Sequence, residues 1–306
     1  GAVMVNSGTS GLMVALMALG VGPGDEVLMP ALTFVGTINS ILNAGATPVL
    51  VDVDPKTANI DYDRIEAAIS DQTRAIMPVH LYGLAVEMSA ITDIAEARAL
   101  LVVEDACEAI GADYRGRKVG AIGDAGVFGF YPNKMLTTGE GGMVIADDPA
   151  LLDRCRAIVN QGRGVRNVPG YSLRGTELAA AIGQVQLASL DERLTRRQGI
   201  ADAYVGAIHN VPGVEILARG EPRSWFTFPV LLPEGADRER VIEGLREAGI
   251  EVADYFQAIH KIYSGIKSAG DLSVSETLGR RTLCLPLWDG VEKHIEEITT
   301  ALTKLL

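Results

Sequence analysis

The stretch FGFYPNKMLTTGEGG, residues 128–142, contains one ammonium group, that of Lys134, and no other charge lies between Asp124 and Glu140. An amine removed from water gives up its proton more readily, and the free amine is a nucleophile toward an aldehyde. The ordinary alternative for a lone lysine is a stem lying on apolar surface with its head in water. A second group stands in VVEDACEA, where an apolar run ends on Glu104 and Asp105. A carboxylate at a buried strand end needs a cation or donors to offset its desolvation. A protonated ring nitrogen would serve, and so would a salt bridge or a helix cap. The third is NSGTS, residues 6–10, whose small residues let backbone approach a ligand. The helix that follows offers free N–H groups and a positive dipole end, the makings of an anion site. By itself the motif reads first as an N-cap by Ser7 or Thr9. No GxxxxGK[ST] pattern follows, which excludes a nucleoside-triphosphate loop.

The combination is more specific than its parts. An anion-binding helix start, a strand-end aspartate and an isolated lysine on a later loop match the phosphate, the pyridine nitrogen and the aldehyde carbon of pyridoxal 5′-phosphate. An aromatic cover for the ring would complete such a site, and Phe34 in PALTFVGT follows another strand end.

These groups need elements to position them. Short apolar runs alternate with helical spacing along the first half of the chain: Ala2–Val5, the strand in GPGDEVLMP, TPVLVDVD, RAIMPVH and LLVVEDA read as strands. Between them lie the helix entered from NSGTS, helical spacing over 33–43, DYDRIEAAIS with an Asp at its N-cap, and a helix over 88–100. This β-α-β-α rhythm predicts a mostly parallel sheet covered on both faces, with ligands beyond the carboxyl ends of its strands. DYRGRKVG predicts a hairpin, AGVFGFY and GGMVIAD two strands flanking the lysine loop, and 176–209 a long helical stretch interrupted near Leu190. A mixed α/β segment follows. The predicted organisation is a large α/β/α domain over 1–205 and a smaller α+β domain over 206–306.

Composition narrows the classes. A hydrophobic fraction of 48% suits a large globular core, and a net charge of −12 argues against nucleic acid as the main partner. Three dispersed cysteines without a CxxC suit a reducing compartment, the cytoplasm. His80, His209, His260 and His294 form no spaced metal signature, so no metal is expected. No apolar run reaches roughly 18 residues, and no spanning helix is expected. The chain opens abruptly on GAVMVNSGTS, as a fragment or trimmed chain would.

Several segments carry a resemblance: NSGTSGLMVALMALGVGPGDEVLMPALTFVGT, PVLVDVDP, MPVHLYG, VVEDACEAIGADYRGRKVG, FGFYPNKMLTTGEGGMV, GYSLRGTELAAAIGQVQL, and the later WFTFPVLLPEG, EAGIEVADYFQAIHK and LCLPLW. In this order they resemble the DegT/DnrJ/EryC1/StrS sugar aminotransferases, without the family's portion ahead of NSGT. The resemblance implies an α/β protein of the type I aminotransferase fold that uses pyridoxal 5′-phosphate and works as a homodimer with shared active sites. It implies that Lys134 anchors the aldehyde and shuttles protons, Asp105 pairs with the ring nitrogen, Phe34 stacks on the ring, and Gly8 and Thr9 bind the phosphate. Arg174 lies where the family contacts the neighbouring subunit's cofactor, and Glu108 near the cofactor's phenolic oxygen. His80, Arg163, Arg166 and His260 are the candidate substrate contacts. Two positions depart from the family pattern: Gly129 replaces a phosphate-binding serine, and Glu108 replaces Gln or His. A carboxylate at 108 would repel the phenolic oxygen unless protonated or turned away.

The expected activity is transfer of an amino group, from L-glutamate, to a ketosugar linked to a nucleotide. The partners are then small molecules rather than nucleic acid or membrane. A sugar-modifying enzyme of the same cofactor class that is not an aminotransferase, and a non-catalytic regulator that kept the fold, are the alternatives. Lys134 argues against the deoxygenating relatives, which carry His there.

Overall fold

The computed structural model describes residues 1–165, 169–218 and 222–306. In chain order the first half contains β1 (Ala2–Val5), α1 (Gly8–Ala18), β2 (Glu26–Pro30), α2 (Val35–Asn43), β3 (Thr47–Val51), α3 (Ile65–Ala68) and β4 (Thr73–Ile76). It continues with α4 (Met88–Arg98), β5 (Leu101–Asp105), the short pair β6 (Asp113–Tyr114) and β7 (Arg117–Lys118), β8 (Ala125–Gly129), β9 (Gly142–Ile145) and α5 (Pro149–Val159). Helices α6 (Glu177–Ala188) and α7 (Leu190–Ile208) lead to β10 (Glu215–Ile216), β11 (Phe228–Leu231) and α8 (Arg238–Glu247). The chain closes with α9 (Ile259–Ile262), β12 (Lys267–Ser268), α10 (Ser273–Arg281), β13 (Thr282–Leu285) and α11 (Ile295–Leu305).

Eight strands form one sheet in the order β1-β9-β8-β5-β4-β2-β3-β12. All neighbours from β8 to β12 pair in parallel, and β9 runs antiparallel to both β8 and β1. The pleat explains why the strands are apolar throughout. Val27, Met29, Leu50, Ala75 and Val103 enter the core beneath α1, α2 and α5, while Leu28, Val49, Val51, Ile76 and Val102 enter the core beneath α3 and α4. Each of the Val, Leu, Ile and Met side chains contributes roughly 1.5–3 kcal/mol of burial. Helix α1 is apolar on nearly every side because it is buried on nearly every side. At Gly11 a Cβ would stand 2.7 Å from Val127 Cγ1, so the helix lies directly on the sheet.

A second core surrounds the antiparallel sheet β10-β11-β13. It takes Ile200, Ala201, Tyr204 and Ile208 from α7 as well as residues of α8 and α11. The division expected at 205/206 therefore falls inside a helix. The C-terminal part also returns to the large sheet: β12 pairs with β3, and Ile259 and Leu272 belong to the first core.

Candidate active site

The carboxyl ends of the parallel strands converge on one cavity of about 350 Å³. The turn after β1 brings Ser7, Gly8 and Thr9, the segment after β5 brings Cys107 and Glu108, and the loop after β8 brings Lys134. A narrow extension of about 40 Å³ reaches Thr37, Val79 and Asp105 and is shared by Thr9, Phe34, Cys107, Glu108 and Lys134. Five of the residues singled out for the cofactor, together with Glu108, thus share one space.

Each wall has a local cause. Ser7 caps α1, its Oγ accepting from Ser10 N–H at 3.1 Å, which leaves the first-turn N–H groups of Gly8 and Thr9, both lining the cavity, without helix carbonyls to meet them. Gly8 and Gly129 approach closely: a Cβ on Gly8 would lie 2.7 Å from Cys107 Sγ and 3.2 Å from Gly129 Cα. With no side chain at 129, the cradle there is made of backbone. Asp105 is buried, accepting from Thr37 Oγ1 at 2.8 Å and from Cys107 N–H at 3.2 Å, and among the described residues it has no ion-pair partner. A carboxylate in that position is offset fully only by a further cationic donor. Phe34, 54% exposed at the start of α2, offers its ring to the cavity and lies 6.0 Å from Phe256. Backbone donors, an unpaired carboxylate, an amine and an open aromatic face are the donor set a pyridoxal phosphate needs, and the residues present fit it.

Lys134 is not isolated in space as it is in sequence. Its side chain is 15% exposed, its Nζ lies 3.4 Å from Glu108 Oε1, and the Phe226 ring centroid is 3.9 Å away. Glu108 is turned to the lysine, and its Oε2 accepts from Tyr82 N–H at 3.0 Å. Burial pushes the Glu108 carboxyl above the usual carboxylate range, Asp105 adding to this and Lys134 and the Tyr82 N–H opposing it. Burial, reinforced by Asp105, also pushes the Cys107 thiol well up, so it stays protonated.

The candidate substrate contacts fare differently. His80 is fully buried and lines neither space: Val86 N–H donates to its Nδ1 at 3.1 Å, leaving Nε2 to donate to Glu104 at 3.0 Å. It is a buried support for Glu104 and has no face toward a substrate. His260 is paired with Glu276 at 2.9 Å and is also outside the cavity. Arg163 is exposed on the loop after α5, and Arg174 is exposed and holds Asn160 Oδ1 and Ser172 Oγ. Arg166 lies outside the described residues.

Several lining groups were not found from the sequence. Thr37 stands three positions after Phe34, and a search for the donors of Asp105 would have reached it. Phe226, Tyr255 and Phe256 come from the C-terminal part and form a stacked wall of the same cavity, with centroid spacings of 6.1 and 4.9 Å. Their signal is aromatic clustering, WFTF and YF, in a chain with 5% aromatic residues. Among the described residues no group of three His, Cys, Asp or Glu side chains could hold a metal ion, and no helix is long and apolar enough to cross a membrane.

The sheet order and this cavity define a pyridoxal-phosphate-dependent aminotransferase of the type I fold. The chain belongs to the DegT/DnrJ/EryC1/StrS aminotransferase family, whose model matches residues 1–303. It is 40% identical to the GDP-perosamine synthase of Caulobacter vibrioides over 319 aligned positions, covering 100% of this chain and 85% of that one. Among solved structures, DesV of S. venezuelae in complex with a ketimine intermediate superposes with a TM-score of 0.91 at 34% identity, covering 99% of this chain and 84% of that one. Spr1654 of Streptococcus pneumoniae in its PLP form superposes with a TM-score of 0.90 at 28% identity, covering 100% and 88%.

Proposed function

We propose that this aminotransferase moves an amino group from L-glutamate to a nucleotide-linked ketosugar, with Lys134 as the cofactor's covalent anchor. The observation that carries the reading is the meeting of Lys134, Asp105, Phe34 and the Gly8–Thr9 backbone around one cavity. Bound there, pyridoxal phosphate supplies an aldehyde for amine exchange and an electron sink for the carbon that loses a proton. Gly8 and Thr9 N–H groups hold the phosphate at the start of α1. Asp105, fixed by Thr37, accepts from the ring nitrogen and keeps it protonated. Phe34 covers the ring. Lys134 Nζ, once free, would take a proton from the reacting carbon of the donor in the first half-reaction and supply one to the reacting carbon of the acceptor in the second.

The nucleotide-linked acceptor rests on the relative from Caulobacter vibrioides, named for a GDP-linked aminosugar, and on space. A second cavity of about 550 Å³ shares Asn133, Phe226 and Tyr255 with the first, room for an acceptor larger than a sugar. A second copy of the chain completes the site in this reading. Helix α6 leaves Leu178, Ile182, Val185 and Leu187 exposed at 80, 48, 74 and 57%, while Gln186 Oε1 accepts from Thr137 N–H on the lysine loop. A partner seated on α6 would therefore lie beside the loop that carries Lys134. The three thiols are free, as in a reducing compartment, and we place the reaction in the cytoplasm.

The test is direct. Borohydride reduction of the cofactor-loaded protein should fix the label on Lys134, and glutamate should bleach the visible band. Lys134→Ala should lose the fixed label and amine transfer to GDP-linked and other nucleotide-linked ketosugars. Transfer retained by Lys134→Ala would overturn the reading.

A further inference from the structure

Glu108 is the single carboxylate within ion-pair distance of Lys134 among the described residues, at 3.4 Å. Its other oxygen is fixed by Tyr82 N–H at 3.0 Å, which leaves Oε1 facing Nζ. Tyr82 has φ 55°, a left-handed conformation uncommon outside glycine, and in it the N–H meets Glu108. On the other side the Phe226 ring lies 3.9 Å from Nζ. The pair is shielded: the side chains of Lys134 and Glu108 are 15 and 6% exposed. Around Glu108 stand Lys134, the Tyr82 N–H and the carboxylate of Asp105, with the thiols of Cys107 and Cys284 also in its field. The Tyr82 hydroxyl is engaged elsewhere, donating to Tyr255 O at 2.8 Å.

We propose that Glu108 is the proton store of Lys134. The two groups share one proton, held on Nζ while the amine is idle and on Oε1 when the amine must act as a nucleophile. In the step a Nζ–H bond breaks, its electron pair stays on nitrogen, and an O–H bond forms at Oε1. The ammonium–carboxylate pair becomes an amine–carboxylic acid pair, with a net charge of zero before and after. Because no net charge enters or leaves a poorly hydrated space, the desolvation cost that would oppose losing the proton to bulk water is avoided. Burial already raises the proton affinity of Glu108, in the direction the transfer needs. Cys107 does not compete, since its thiol stays protonated. This role also answers the departure at 108: a neutral carboxylic acid beside the cofactor does not repel an oxyanion.

The inference rests on Lys134 being the cofactor's anchor, and the experiment separates the two. Cofactor is added to the apo protein in weak buffer with an indicator dye, and an infrared difference spectrum of loaded minus apo protein is recorded. The same samples are reduced with borohydride and peptide-mapped. In the parent, loading should produce a protonated-carboxyl stretch. In Glu108→Gln, whose amide oxygen can still accept from Tyr82 N–H, the band should be absent and one more proton per chain should appear in solution. A label on Lys134 with no carboxyl band in the parent would overturn the proton store and leave the anchor standing. Label on another residue would overturn both. Should Glu108→Gln fail to load, the parent's infrared spectrum still decides.

Discussion

At the scale of single residues the site is set by close approaches. Gly8 is confined between Cys107 Sγ and the Gly129 backbone, so it can carry no side chain without displacing something. Gly8→Ala should therefore weaken cofactor binding by about tenfold or more, the effect of roughly 1–3 kcal/mol of overpacking. Adding Cys107→Ala should recover most of that loss, because the sulfur is the nearest atom; titration of cofactor into the apo proteins, as a double-mutant cycle, measures both. The lining of the cavity was legible where it sat in strand-end motifs. Gly8, Thr9, Phe34, Asp105 and Lys134 announce themselves by type and by position after an apolar run. Spatial charge was not legible. Lys134 looks unaccompanied over fifteen residues of sequence, yet the chain returns Glu108 to within 3.4 Å of it. That juxtaposition depends on how β5 and β8 align side by side, which no local pattern encodes.

At the scale of elements, Glu104 ties β5 to the loop that leads into β8. Its oxygens accept from the N–H groups of Gly120, Ile122 and Gly123 at 2.6–2.7 Å, and from His80. Burial alone would push its pKa up, but His80 and these N–H groups outweigh burial and hold it below the ordinary range. A lowered pKa in the fold means stabilisation that is present above the ordinary carboxylate range and lost as the pH falls through the lowered value. Glu104→Gln turns an NH₂ toward N–H donors and should cost about 3 kcal/mol or more at neutral pH. The gap between variant and parent should narrow on acidification, and thermal melts at the two pH values read it. Elements themselves were largely visible in the sequence: the alternating strands and helices, the β6–β7 hairpin, and the break between α6 and α7 at Ser189. The helix expected over DYDRIEAAIS is shorter, a 3₁₀ turn over Tyr62–Arg64 followed by α3. Asp61 caps it as expected, but only Ile65 and Ala68 are buried, so little packing extends it.

At the scale of the whole molecule, α6 carries a row of large apolar side chains that the described residues leave uncovered. The dimer we propose predicts that Leu178→Glu combined with Val185→Glu leaves the monomer folded, since both side chains are at least 74% exposed, and shifts sedimentation from dimer to monomer. Amine transfer should fall with it, because in that proposed dimer the partner's surface borders the lysine loop. Organisation at this scale was the least legible. The sequence changes character near residue 205, but periodicity cannot show that a later segment doubles back to lie against an earlier strand. Ser268 pairs with Leu50, Ala269 N–H donates to Leu50 O at 2.8 Å, and Lys267 reaches Glu26 at 2.5 Å.

That late return gives the chain a schedule. On a ribosome β3 finds β2 as soon as it emerges, but its outer edge stays bare until β12, far later in the chain, has been made. For that interval Val49, Leu50 and Val51 border an open ladder of N–H and C=O groups, which any neighbouring nascent strand can extend. The two residues of β12, one of them Lys267 with its reach to Glu26, close it. The vulnerable interval in the synthesis of this enzyme thus runs from the pairing of β3 with β2 until β12 emerges.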